Sequence, residues 1–153
     1  PNGMKYALMA NATPKDTVLI RFRFDVGSFA EADDQRGLAH FLEHMAFNGT
    51  KNFKKNDLVN YLESIGTKFG AHLNAYTSFD ETVYMLQVPT DKPEFMDKGL
   101  MILNDWAFGL SFDSLEIEKE RGVIIEEWRL GQGADERMRN QYWPTLFKGS
   151  RYE

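Results

Sequence analysis

Eleven consecutive residues, Gly37-Leu38-Ala39-His40-Phe41-Leu42-Glu43-His44-Met45-Ala46-Phe47, are apolar except for two histidines and a glutamate. Such a stretch reads as a helix that is apolar nearly all round and therefore buried. Three ionisable groups inside it need partners, because unpaired burial is costly. In a helix, positions i and i+4 stack on one face, so His40 and His44 would offer both imidazoles to one point. Glu43 sits beside His44 and three residues after His40, so it borders the same face. The order H-x-x-E-H inverts the commoner H-E-x-x-H zinc motif. It implies a zinc ion with an adjacent base, and hence metal-assisted hydrolysis. The plainer alternative is a pair of helical histidines with no ligand role. The apolar setting favours the metal.

Composition narrows the other possibilities. The 153 residues suffice for one domain with a real core. The net charge of −5 gives no reason to expect a nucleic-acid partner. The cluster Lys51, Lys54 and Lys55 reads as a solvated loop and helix start. With no cysteine, thiolate ligands, disulfides and cysteine nucleophiles are excluded. No apolar run approaches the length of a membrane span. The chain opens Pro1-Asn2-Gly3 without an initiator methionine or signal peptide, so any targeting segment would lie outside this sequence.

Patterning supplies the elements. Pro1-Asn2-Gly3 reads as a turn and residues 4–10 as a first strand. Over 17–26, Val18, Ile20, Phe22, Phe24 and Val26 alternate with Arg21, Arg23 and Asp25, which is a strand with one buried face. Asn48-Gly49 would end the motif helix through a left-handed cap. Leu58, Tyr61, Leu62 and Ile65 mark an amphipathic helix over 55–65, closed by Gly66. Residues 67–77 and 81–88 read as paired strands around Ser78-Phe79-Asp80. Asp91 and Pro93 open a helix to Phe108. Asp113 with Glu116 resembles a capping box, and Phe112 with Ile117 a hydrophobic staple. A helix should then run from Ser114 to Leu130, break at Gly131-Gln132-Gly133, and be followed by another over 134–147 containing Pro144. Strand pairs followed by helix pairs predict an α+β fold, a mainly antiparallel sheet with helices on one face.

A catalytic zinc usually takes three protein ligands. His72, the only other histidine, reads as a strand residue with a hydrogen bond or solvent contact. A carboxylate is the better third ligand. Glu120, Val123, Ile124 and Glu127 form one helical stripe, with Val123 and Ile124 expected to face the core. Glu120 and Glu127 would then border it two turns apart. One could bind metal and the other orient a ligand from behind; phase alone does not say which, nor does it exclude Glu126.

Four ordered segments together resemble the pitrilysin or insulinase family of zinc metallopeptidases. They are Pro1 to Tyr6, Gly37 to Phe47, Asn74-Ala75-Tyr76-Thr77-Ser78, and Glu120 to Glu127. The resemblance covers nearly the whole chain and is nearest to bacterial, envelope-directed members. It implies that His40, His44 and Glu127 bind one Zn2+, that Glu43 is the general base, and that Glu120 supports the site from behind. It implies that Asn74, Ala75, Tyr76 and Thr77 form an edge strand that holds a peptide or small-protein substrate by strand addition. It further implies a periplasmic or envelope location. Residues 1–153 would be a single peptidase domain, cut short within a longer protein whose further peptidase-like domains complete the site. The rival reading is a non-catalytic peptide-binding or assembly subunit of the same fold, and a third is a zinc hydrolase acting on something other than peptides.

Overall fold

The computed structural model describes residues 3–153. Most of the expected turn at Pro1-Asn2-Gly3 therefore lies outside the described residues. In chain order the elements are β1 (Thr17–Phe24), α1 (Leu38–Met45), α2 (Asp57–Ser64), β2 (Leu73–Thr77), β3 (Thr82–Pro89), α3 (Pro93–Phe108), α4 (Ser114–Gly131) and α5 (Ala134–Leu146). The strands form an antiparallel sheet in the order β1-β3-β2. Its register sets Phe22 opposite Tyr84, and Tyr84 opposite Ala75. One face therefore carries Val18 and Phe22 from β1, Tyr84, Leu86 and Val88 from β3, and Leu73 from β2. These side chains meet Ala46, Leu58, Leu62, Ile102 and Trp106, so the helices close over that face. The result is the α+β fold that the alternating and helical periodicities predict.

Two buried polar contacts lock α3 to the loop after α1. Asp105 is 1% exposed. Its carboxylate accepts from Thr50 Oγ1 (2.6 Å), the Asn52 amide (3.0 Å) and Asn52 Nδ2 (2.8 Å). Next to it, Trp106 Nε1 donates to the Ala46 carbonyl at 3.1 Å and its ring stacks on Tyr84. The sequence reading had no role for Asp105, because an acidic residue in a helix usually faces water.

Several expectations need correction. Residues 4–10 are not a strand; they run as irregular chain, with Tyr6 and Leu8 more than four-fifths exposed. An apolar segment becomes a strand only where a neighbouring strand takes up its backbone groups, and the three-stranded sheet does not include this one. The strand expected over 67–77 begins only at Leu73. Before it, Gly70 N–H donates to Leu73 O and His72 N–H to Lys68 O, both at 2.8 Å, so the chain turns there. β1 ends at Phe24, short of Val26. Asp113 caps α4 by accepting from the Leu115 and Glu116 amides, but the Glu116 side chain pairs with Lys55 and Lys119 instead of returning to Asp113. Phe112 is exposed, so the expected staple does not pack.

Replacing Asp105 by Ala should lower unfolding stability by about 3 kcal/mol, since it leaves buried donors unanswered. Urea denaturation measures this; an unchanged midpoint would mean that the network holds nothing.

Candidate metal centre

The motif helix is fixed at both ends. The Glu31 carboxylate accepts the amides of Gly37 and Ala39, each at 2.7 Å, and so caps α1 from the preceding loop. Gly37 takes φ +94° to make this entry, a value that disfavours any side chain. At the far end, Trp106 holds Ala46. α1 is less buried than its composition suggests. Glu43, Met45 and Ala46 are enclosed, but Leu38 and Leu42, one turn apart on the same face, are about half exposed.

α4 crosses α1 and brings its carboxylates to the histidines. His40 Nε2, His44 Nε2 and Glu127 Oε2 converge, with separations of 3.0 Å between the two nitrogens, 3.4 Å from His44 to the oxygen and 3.6 Å from His40 to the oxygen. Ligands about 2.0–2.1 Å from a tetrahedral zinc lie roughly 3.3–3.4 Å apart, so the triangle fits such an ion. Among the described residues, these three are the grouping of His, Cys, Asp and Glu whose ligand atoms could share one metal.

Glu120, two turns earlier on the same stripe of the helix, does something different. Its Oε1 lies 2.7 Å from His44 Nδ1, and both side chains are 14% exposed. With the proton on Nδ1, His44 Nε2 is left with its lone pair toward the trio, the form in which imidazole binds metal. Glu120 Oε2 accepts from Asn48 Nδ2 at 2.7 Å. Glu126 is not at the centre; it pairs with Arg129 at 2.9 Å on the outer side of α4. Val123, expected to face the core, is 45% exposed, and α4 buries no residue. Of the apolar stripe only Ile124 is half-buried.

The trio opens onto a cleft of about 450 Å³, lined also by Phe47, Phe69 and residues 74–77 of β2. Glu43 is 8% exposed, and Thr77 Oγ1 donates to its Oε2 at 2.8 Å. The strand thus touches the acid of the motif directly. Burial first, and then the nearby Glu43 charge, push the Tyr84 hydroxyl far above the usual tyrosine range, so it stays neutral beneath the cleft.

β2 lies at the sheet edge, paired to β3 on one side only. His72 and Ser78 bond to Gln87 and Glu81 across that side. Antiparallel alternation then turns Asn74 and Tyr76 inward to β3 and the backbones of Leu73, Ala75 and Thr77 outward. Leu73 is already engaged by Gly70 and Lys68, which leaves Ala75 and Thr77 facing the cleft. The Ala75 amide is covered by Asn74 Oδ1 at 3.0 Å. His72 stands apart from the trio, its Nδ1 accepting the Lys68 amide at 3.2 Å.

The structure therefore assembles His40, Glu43, His44, Glu120, Glu127 and the 74–77 strand at one place. Sequence reasoning missed Glu31 and Asn48. Asn48-Gly49 reads as the pair that ends the helix; of the two, Gly49 takes a positive φ (+135°) and Asn48 does not. Its spacing of four from His44 was the available signal.

Residues 6–143 match the profile of the family described as Insulinase (Peptidase family M16). An Escherichia coli K12 protein named "Probable zinc protease PqqL" is 41% identical over 150 residues, covering 98% of this chain and 16% of that relative. A "Zinc protease PQQL-like" of Arabidopsis thaliana is 40% identical over 151 residues, covering 99% of this chain and 16% of that relative. The crystal structure of the first half of the periplasmic protease PqqL from E. coli superposes with a TM-score of 0.87 at 42% identity, over 92% of this chain and 30% of that one. The chain thus spans about a sixth of the curated relatives it matches.

Proposed function

Because this chain belongs to the insulinase family of peptidases, family M16, we propose that it is the zinc-binding domain of an endopeptidase. The observation that carries this reading is the convergence of His40, His44 and Glu127, with Glu43 beside them and an open strand edge alongside. On it, His40 Nε2, His44 Nε2 and Glu127 Oε2 hold one Zn2+. Bound there, zinc would acidify a water and polarise a carbonyl.

The chain's own residues supply the rest. Glu43 accepts the proton of the attacking water and returns it to the leaving amine. Thr77 aims the Glu43 carboxylate through its hydroxyl. Glu120 holds the tautomer of His44. A peptide lies along β2 as an added strand, bonding the Ala75 and Thr77 backbones. Asn74 covers the Ala75 amide until a substrate carbonyl replaces it. Asn74, Ala75, Tyr76 and Thr77 are thus the binding strand, with Thr77 serving the base as well.

The likeness to PqqL supports a bacterial periplasmic location and further peptidase-like domains in the full-length protein. It supports a single peptidase domain over 1–153 within that longer protein.

Elemental analysis of the wild-type chain, purified without added metal, should find about one zinc per chain, and Glu127→Gln should lose most of it. Equal zinc in both would move the third ligand elsewhere. No zinc in the wild type, even when supplied, would overturn the metal centre and favour a binding subunit. In the full-length protein, Glu43→Gln should retain zinc while peptide hydrolysis falls by about 10²–10⁴-fold. Zinc loss in that variant would sink the base assignment.

A further inference from the structure

We propose that Asn48 is a positioning residue of the metal centre, acting on His44 through Glu120. This rests on the zinc reading above and assigns a role to a residue that neither the H-x-x-E-H motif nor the helical stripe includes. The geometry is a closed chain of contacts. Asn48 Nδ2 donates to Glu120 Oε2 at 2.7 Å and more weakly to the His44 carbonyl at 3.3 Å. Glu120 Oε1 meets His44 Nδ1 at 2.7 Å. One amide nitrogen thereby ties the carboxylate to the same turn of chain that carries the ligand.

Two features make this more than a helix-end contact. First, the bond to the glutamate is the shorter of the two, so the amide is aimed across to α4 and not along its own helix. Second, a carboxylate with a single partner can rotate about its last bond. With one oxygen held by Asn48, the other is confined to the line of the imidazole N–H. A helix that buries no residue depends on polar ties of this kind to fix the phase of Glu120. Leucine at 48 fills similar space and removes the donor. Glu120 Oε2, in a nearly buried position, would then turn toward water and pull Oε1 off His44.

Outer partners of metal ligands typically contribute 10–100-fold in metal affinity. Asn48 acts one bond further out, and about tenfold is expected. The test is a thermodynamic cycle on zinc affinity, read by competition with a chromophoric chelator, in wild type, Asn48→Leu, Glu120→Ala and the double variant. Metal-free melting is followed in parallel. The expected result is roughly tenfold weaker zinc binding in Asn48→Leu, a metal-free Tm close to wild type, and a double variant no weaker than Glu120→Ala. With cobalt as probe, the visible band of Asn48→Leu should move in the same sense as that of Glu120→Ala. Wild-type zinc affinity in Asn48→Leu would overturn the proposal, as would losses that multiply in the double variant. If Glu120→Ala fails to fold, Glu120→Gln replaces it in the cycle. Failure of the wild type to bind zinc would instead strike the underlying metal reading, so the two failures are distinguishable.

Discussion

The carboxylate of Glu120 is the joint on which this site depends. Helix α4 is amphipathic only weakly and encloses none of its own residues. Hydrophobic packing, which fixes the rotation of most helices, therefore leaves α4 loosely specified. Polar ties do that work instead. Asp113 fixes the start of the helix, Glu116 pairs with Lys55 near the start of α2, and Glu120 meets His44 and Asn48 of the motif segment. Glu127 lies two turns beyond Glu120 on the same stripe, so the contact that orients His44 also sets the angle at which Glu127 arrives. One side chain thus brings the helix into phase and, on the proposed reading, selects the histidine tautomer.

α1 faces the complementary problem. It must hold two imidazoles and a nearly buried carboxylate at fixed separations while the face carrying Leu38 and Leu42 is left open. Its ends are therefore pinned by groups outside it: Glu31 on the amides of Gly37 and Ala39, and Trp106 on the Ala46 carbonyl. The Asp105 cluster behind Trp106 carries that restraint into α3 and the core. Movement of α1 along its axis would break bonds at both ends, and this is how a short helix with exposed Leu38 and Leu42 can keep its two imidazoles in place.

What was legible in the sequence follows from which interactions are local. The H-x-x-E-H spacing, the alternation of β1 and the apolar stripe of α2 are consequences of 3.6- and 2-residue periods, and each appears where the pattern puts it but for the last two residues expected of β1. The choice between Glu120 and Glu127 was not legible, because two residues seven apart on one helix share a face and differ only in what lies opposite. The same ignorance misplaced Val123: a stripe between two carboxylates looks buried until it is known that α1 covers only part of α4. Residues 4–10 are largely apolar and read as a strand, but strand pairing is a tertiary event that local composition cannot supply. Asn48 was hidden by ambiguity of type, since an Asn-Gly pair after a helix is explained well enough by a turn.

The contact between Thr77 and Glu43 links the two halves of the proposed chemistry. Ala75 and Thr77 turn their backbones to the cleft, and an exposed edge is ordinarily a hazard for aggregation. Here the hazard is contained at the Ala75 amide by Asn74 and at the Thr77 side chain by the glutamate it serves. A peptide that docks on this edge must displace the first and lie along the second. On the proposed reading, the added strand is therefore not only held near the trio. Its register is set by the same residue that aims the base, so a main chain bonded to Ala75 and Thr77 arrives with the proton acceptor already in position. Recognition through backbone bonds then leaves side-chain preference to Phe47 and Phe69 in the cleft lining.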